Sequence, residues 1–125
     1  MNILITGVTG LFGRELAKTF SSLGTIHGLR RSNSSFTDPD LAGLTIQWHE
    51  GDILDFSSLL EAVAGMDIVI HCAANTSMFP ARQKIVNEVN ITGTNNIIHA
   101  CQVNQVKRMI YVGTANSFGS GNLEN

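Results

Sequence analysis

Residues 6–13 read Thr6-Gly7-Val8-Thr9-Gly10-Leu11-Phe12-Gly13 and follow directly on the apolar run Ile3-Leu4-Ile5. A buried strand therefore ends in a glycine-rich turn, and an amphipathic stretch over 11–23, closed by Gly24, opens beyond it. At Gly7 and Gly10 the backbone can turn tightly and approach an anion with no Cβ in the way. At Gly13 the helix can lie close on the strand. The first turn of a helix has N–H groups without intrahelical partners, so Thr9, Leu11 and Phe12 join the three glycines around whatever anion sits there. A strand before and a helix after make this spacing diagnostic. It predicts the pyrophosphate of a dinucleotide on the turn.

Apolar runs and helical patterns alternate through the rest of the chain. Strands are expected over 2–5, 25–29, 44–49, 67–73 and 109–112, and helices over 11–23, 56–64 and about 80–104. Asp55 is placed to cap the second helix, Leu59, Leu60 and Val63 share one of its faces, and Gly65 marks its end. In the third helix Val86, Val89, Ile97, Ile98 and Cys101 recur at helical spacing. The segment 31–43, rich in Ser, Asn and Asp, reads as a surface loop. Continuous apolar strands joined by helical crossovers imply an α/β fold, a doubly wound parallel Rossmann sheet of about five strands stopping before a sixth. One domain over 1–125 accommodates it, with 43% hydrophobic residues for its core.

The strand at 109–112 would then be an apolar edge, which folded proteins cover or pair. The expectation is a C-terminal part, or a partner on that edge, most simply a second copy of the chain in a dimer or a domain swap. A net charge of −2 argues against nucleic acid or an anionic membrane as the main partner. No apolar run reaches the ~18 residues of a membrane span. The first residues enter a strand with no basic leader, so a cytoplasmic location is expected. Cys72 and Cys101 lack any spacing for metal or redox chemistry and read as free, buried thiols.

Other positions carry chemistry. Arg30 and Arg31 follow the second strand, about twenty residues past the glycine turn, with Arg14 in the first helical turn. An acidic side chain there would bind a ribose 2′-hydroxyl, whereas a basic one pairs with a 2′-phosphate. The arginines favour NADP over NAD, against the alternative of a solvated pair. Asp52 and Ile53, after the third strand, are placed to meet adenine: the carboxylate accepts from its amino group and the isoleucine packs on the ring. The competing reading gives Asp52 only a turn, as Asp55 serves its helix. His71 reads as a packed core histidine, followed by the small residues Ala73 and Ala74. The hydroxyl of Thr114, past the fifth strand, would reach a substrate carbonyl or alcohol. The polar stretch 75–83 either borders a substrate pocket or leads into the helix.

Taken in order, TGVTGLFG, GDILD, HCAA, the segment Asn90-Ile91-Thr92-Gly93-Thr94 and YVGTANSFG resemble the extended short-chain dehydrogenase/reductases, the NAD(P)-dependent epimerase/dehydratase group. The resemblance covers essentially the whole chain. It implies that Gly7, Gly10 and Gly13 hold the pyrophosphate, that Asp52 and Ile53 contact adenine, and that Ala73 and Ala74 flank the nicotinamide-side ribose. It further implies that Asn90 supports the active site and that Thr114 is the catalytic Ser/Thr. The family's Tyr-x-x-x-Lys pair lies downstream and is not among these residues, since the one tyrosine, Tyr111, is followed four positions later by Ala115. The implied chemistry is hydride exchange between nicotinamide and a carbinol or carbonyl carbon of a small molecule. The competing reading is a non-catalytic module that binds or senses the dinucleotide.

Overall fold

The computed structural model describes residues 1–31, 41–72 and 88–112, without the side chains of 88 and 89. Within them lie the strands β1 (Asn2–Thr6), β2 (Thr25–Arg30), β3 (Ile46–Glu50), β4 (Ile68–His71) and β5 (Arg108–Tyr111). The helices are α1 (Leu11–Phe20), α2 (Phe56–Val63) and α3 (Thr94–Val103), the last preceded by a π-helical turn, Glu88–Gly93. All strand pairs are parallel, in the order β3-β2-β1-β4-β5. The fold is the Rossmann-type sheet expected from the alternation of strands and helices.

The order also explains the layers. The chain steps outward from β1 through β2 to β3, then returns across β1 to β4 and β5. Right-handed crossovers taken in opposite directions put their helices on opposite faces. Accordingly Leu16, Ala17 and Phe20 of α1 pack with Ile3, Ile5, Ile26 and Ile70 on one face. Leu59 and Val63 of α2 and Ile97, Ala100 and Cys101 of α3 pack with Leu4 and Val69 on the other. The direction reverses between β1 and β4, and the crevice at the carboxyl ends of those strands is where open sheets of this kind bind ligands. Full burial of Ile3, Leu4 and Ile5 in β1 contributes roughly 1.5–3 kcal/mol per side chain. The strand leading into the glycine turn is thus firmly held.

Several boundaries differ from the sequence expectation. α1 stops at Phe20, because Ser21 Oγ donates to the Lys18 carbonyl oxygen and the chain turns, leaving Leu23 exposed. β2 continues through Arg30, and β3 begins at Ile46, since the Leu44 N–H closes a turn on the Leu41 carbonyl. In the expected helix over 80–104, residues 80–87 lie outside the described ones, and the part that follows enters α3 through the π-helical turn. Ile98 faces outward at 39% exposure, while Ile97 and Cys101 are buried. Cys72 is half-buried rather than buried. α2 matches closely: Asp55 accepts from the Ser57 N–H at 3.2 Å, and Gly65, at φ +78°, ends it. Among the described residues no helix is long and apolar enough to cross a membrane.

Candidate dinucleotide site

The glycine turn has the geometry of an anion cradle. Gly7 sits at φ +73°, a left-handed conformation open to glycine, and its carbonyl accepts from the Gly10 N–H at 3.0 Å. Gly10 caps α1 without any side-chain hydrogen bond, and the first turn holds no acidic residue. The first intrahelical bond runs from the Arg14 N–H to the Gly10 carbonyl. The N–H groups of Leu11, Phe12 and Gly13 therefore point out of the helix end with neither cap nor carboxylate before them. Leu11 and Phe12 turn their side chains outward, at 77% and 54% exposure, so what they offer an anion is backbone. A Cβ at Gly13 would stand 2.1 Å from the Gly7 oxygen, so only glycine lets α1 start this close to the turn. Thr9 is exposed beside them. These residues fit a pyrophosphate: partnerless N–H donors at the positive end of a helix, beside backbone bare of side chains.

At the ends of β2 and β3 the Arg30 guanidinium lies over the Trp48 ring, 5.3 Å from its centroid. Its carbonyl accepts from the Gly51 N–H, which ties the two strand ends together. Arg31 follows, exposed, and Arg14 is half-buried in the first turn of α1. Asp52 does serve a turn, since Oδ1 accepts from the Leu54 N–H at 2.9 Å and its carbonyl from the Asp55 N–H at 2.8 Å. Its second carboxylate oxygen takes no hydrogen bond among the described residues, so turn and ligand roles are compatible. Ile53 differs from expectation. Its side chain is 9% exposed and belongs to the core, with Cδ1 where a Cβ on Gly93 would be at 2.6 Å. It therefore does not stand open for a ring to pack on. Its carbonyl accepts from Asn96 Nδ2 at 2.8 Å, which leaves its N–H as the group it can offer.

His71, at the end of β4, is 1% exposed. Its Nδ1 lies 2.7 Å from Thr6 Oγ1 and its Nε2 3.1 Å from Thr94 Oγ1. Burial pushes its pKa down to about 4, so the ring is neutral at pH 7, with one nitrogen donating and the other accepting. It stacks on Tyr111 across the strand pair, with centroids 5.9 Å apart. This is the core histidine expected, and it ties the end of β1 to the start of α3 beside the crevice. Asn90 lies half-buried on the π-helical turn at that same end. Ala73, Ala74, Thr114 and the stretch 75–83 lie outside the described residues. No local pattern in the sequence points to Trp48, although a glycine inside a strand, Gly28, signals that another group approaches closely there.

The model of the NAD dependent epimerase/dehydratase family matches residues 3–124. The chain belongs to this family. Among its relatives, a 2-alkyl-3-oxoalkanoate reductase from Stenotrophomonas maltophilia is 32% identical over 114 residues, covering 91% of this chain and 33% of the relative. A dTDP-D-glucose 4,6-dehydratase from Dictyostelium discoideum is 36% identical, over 98% of this chain and 31% of its own length. Of solved structures, a short-chain dehydrogenase/reductase superfamily protein from Agrobacterium tumefaciens with bound NAD superposes with a TM-score of 0.78 at 25% identity, over 95% of this chain and 34% of that one. The chain thus spans about a third of the length of the family members it matches.

Proposed function

We propose that this chain is the dinucleotide-binding portion of an NADP-preferring epimerase, dehydratase or reductase acting on a small molecule. The observation that carries the reading is the uncapped start of α1, set against a glycine turn at the crevice between β1 and β4. The fold-sharing protein from Agrobacterium tumefaciens holds NAD, which supports a dinucleotide in that place. Bound there, the nicotinamide would give or take a hydride at a carbinol or carbonyl carbon.

The chain's own residues divide the work. The N–H groups of Leu11, Phe12 and Gly13 hold the pyrophosphate, with Gly7 and Gly10 keeping the approach clear and Thr9 at the rim. The Asp52 carboxylate and the Ile53 N–H take the adenine edge. Arg30, joined by Arg31 and Arg14, meets the 2′-phosphate, which is the basis of the NADP preference. Ala73 and Ala74 leave room for the second ribose, Asn90 supports the reacting end, and the Thr114 hydroxyl polarises the substrate oxygen. Hydride exchange also needs an acid–base group, and these 125 residues hold one tyrosine with no lysine four positions on. Turnover is accordingly proposed for a protein of the relatives' length, and cofactor binding for this chain. The outer edge of β5, which pairs with no further strand among the described residues, is proposed to meet a second copy or further polypeptide. Titration calorimetry with NADP+ and NAD+ tests the cofactor reading. Binding of both, tighter for NADP+, is expected, and binding of neither would sink it.

A further inference from the structure

Trp48, the one tryptophan of the chain, stands on β3 at the register position of Gly28 on β2. A Cβ at Gly28 would lie 2.8 and 2.9 Å from Cζ3 and Cε3 of the indole and 3.1 Å from Cγ1 of Val8. The ring therefore lies across bare strand backbone and approaches Val8, a residue of the glycine-rich turn. On the same face of the sheet, two residues further along β2, Arg30 places its guanidinium over that ring at 5.3 Å. This lies inside the ~6 Å at which a cation is held by an aromatic face. The obvious competitor is Glu50, the register partner of Arg30. No ion pair within 4.0 Å joins them. An arginine held through its π face keeps the N–H donors at its edge for an anion, whereas one paired with a carboxylate spends them.

We infer that Trp48 is a positioning residue for Arg30, and that the two form an element selecting the 2′-phosphate of a dinucleotide whose pyrophosphate sits on the glycine turn. The inference rests on the proposed NADP preference. A free arginine loses rotamer freedom when it grips a phosphate, and one already laid on a ring has lost part of that freedom beforehand. Val8, Gly28 and Trp48 also register the arginine to the turn that holds the pyrophosphate, so the spacing between the two anion sites is built into the sheet.

The test is calorimetric titration of the full chain with NADP+ and NAD+, read as the ratio of the two affinities. Wild type is expected to prefer NADP+. Trp48→Leu should lower that ratio about twofold to fivefold, the size an exposed cation–π contact supplies, with NAD+ affinity unchanged within about twofold. Trp48→Phe, which restores a π face, should recover most of the ratio. Arg30→Gln should remove it, and Trp48→Leu should change nothing further in that background, because the two act as one unit. A wild-type preference that survives Trp48→Leu intact, or a Trp48→Leu protein weakened equally for both dinucleotides, overturns the inference and leaves the NADP reading standing. Equal binding of both by wild type overturns that reading and the inference with it. If Trp48→Leu does not fold, the wild-type emission of Trp48 decides. It should respond to adenosine 2′,5′-bisphosphate and not to adenosine 5′-monophosphate, and an equal response to both overturns the inference.

Discussion

At Gly13 a Cβ would meet the carbonyl oxygen of Gly7 and the Cα of Val8, all backbone, whereas at Gly10 the nearest atom is 3.3 Å away. The two substitutions should therefore separate. Gly13→Ala has to push α1 off β1, costing about 1–3 kcal/mol in urea unfolding and displacing the N–H groups that hold the pyrophosphate. Gly10→Ala should stay within about 1 kcal/mol of wild type, since φ −77° suits alanine, while still impeding the anion. Equal stability losses for both would contradict the geometry. His71 makes a prediction of a different kind. Its pKa falls from 6.5 to about 4 on folding through burial, so between those values the unfolded chain binds more protons than the folded one. Its stabilisation is complete above pH 6.5 and lost as pH falls towards 4, by up to roughly 3 kcal/mol. His27, lowered by burial and by His49, adds in the same direction. Urea unfolding at a series of pH values should show this slope, and His71→Asn should flatten it. A slope unchanged in that variant would move the effect to other groups.

At the scale of the element, α2 is the simplest case, because its cap is a single contact. Asp55→Ala removes the acceptor for the Ser57 N–H and should cost about 1 kcal/mol in urea unfolding, with dinucleotide affinity unchanged. A loss of affinity would mean that the 52–55 turn is held by that cap. The start and end of α2, the strand–turn–helix and the parallel sheet were legible in the sequence because each rests on local spacing: the Asp55 cap, the Gly65 stop, the glycines around Gly10. What was not legible depends on partners distant in sequence. The π-helical turn before α3 leaves the spacing of Ile97 and Cys101 intact, so periodicity carries no trace of it. The sequence places Ile53 against the adenine ring beside Asp52, whereas it packs in the core close against Gly93, a neighbour distant in sequence. Trp48 meets Arg30 only through the register of β2 on β3, which no local pattern prints.

The whole molecule has two unlike edges. β3 carries Gln47, His49 and Glu50 among its five residues, the polar dressing with which sheets normally face water. β5 instead exposes Ile110 at 40% and Tyr111 at 53%, on opposite faces of the strand. Pairing alone would give a simple gradient of native-state hydrogen exchange, with β2, β1 and β4 slowest because each is bonded on both sides, and β3 and β5 fastest. A covered β5 breaks that symmetry. If a second copy caps the apolar edge, amides of β5 should become slower than those of β3 as protein concentration rises, while β3 stays constant as an internal control. If β5 and β3 exchange alike at every concentration, self-association through this edge is excluded. The proposal that further polypeptide covers β5 would then stand alone, to be tested on a protein of the relatives' length by whether β5 exchanges as slowly as β4.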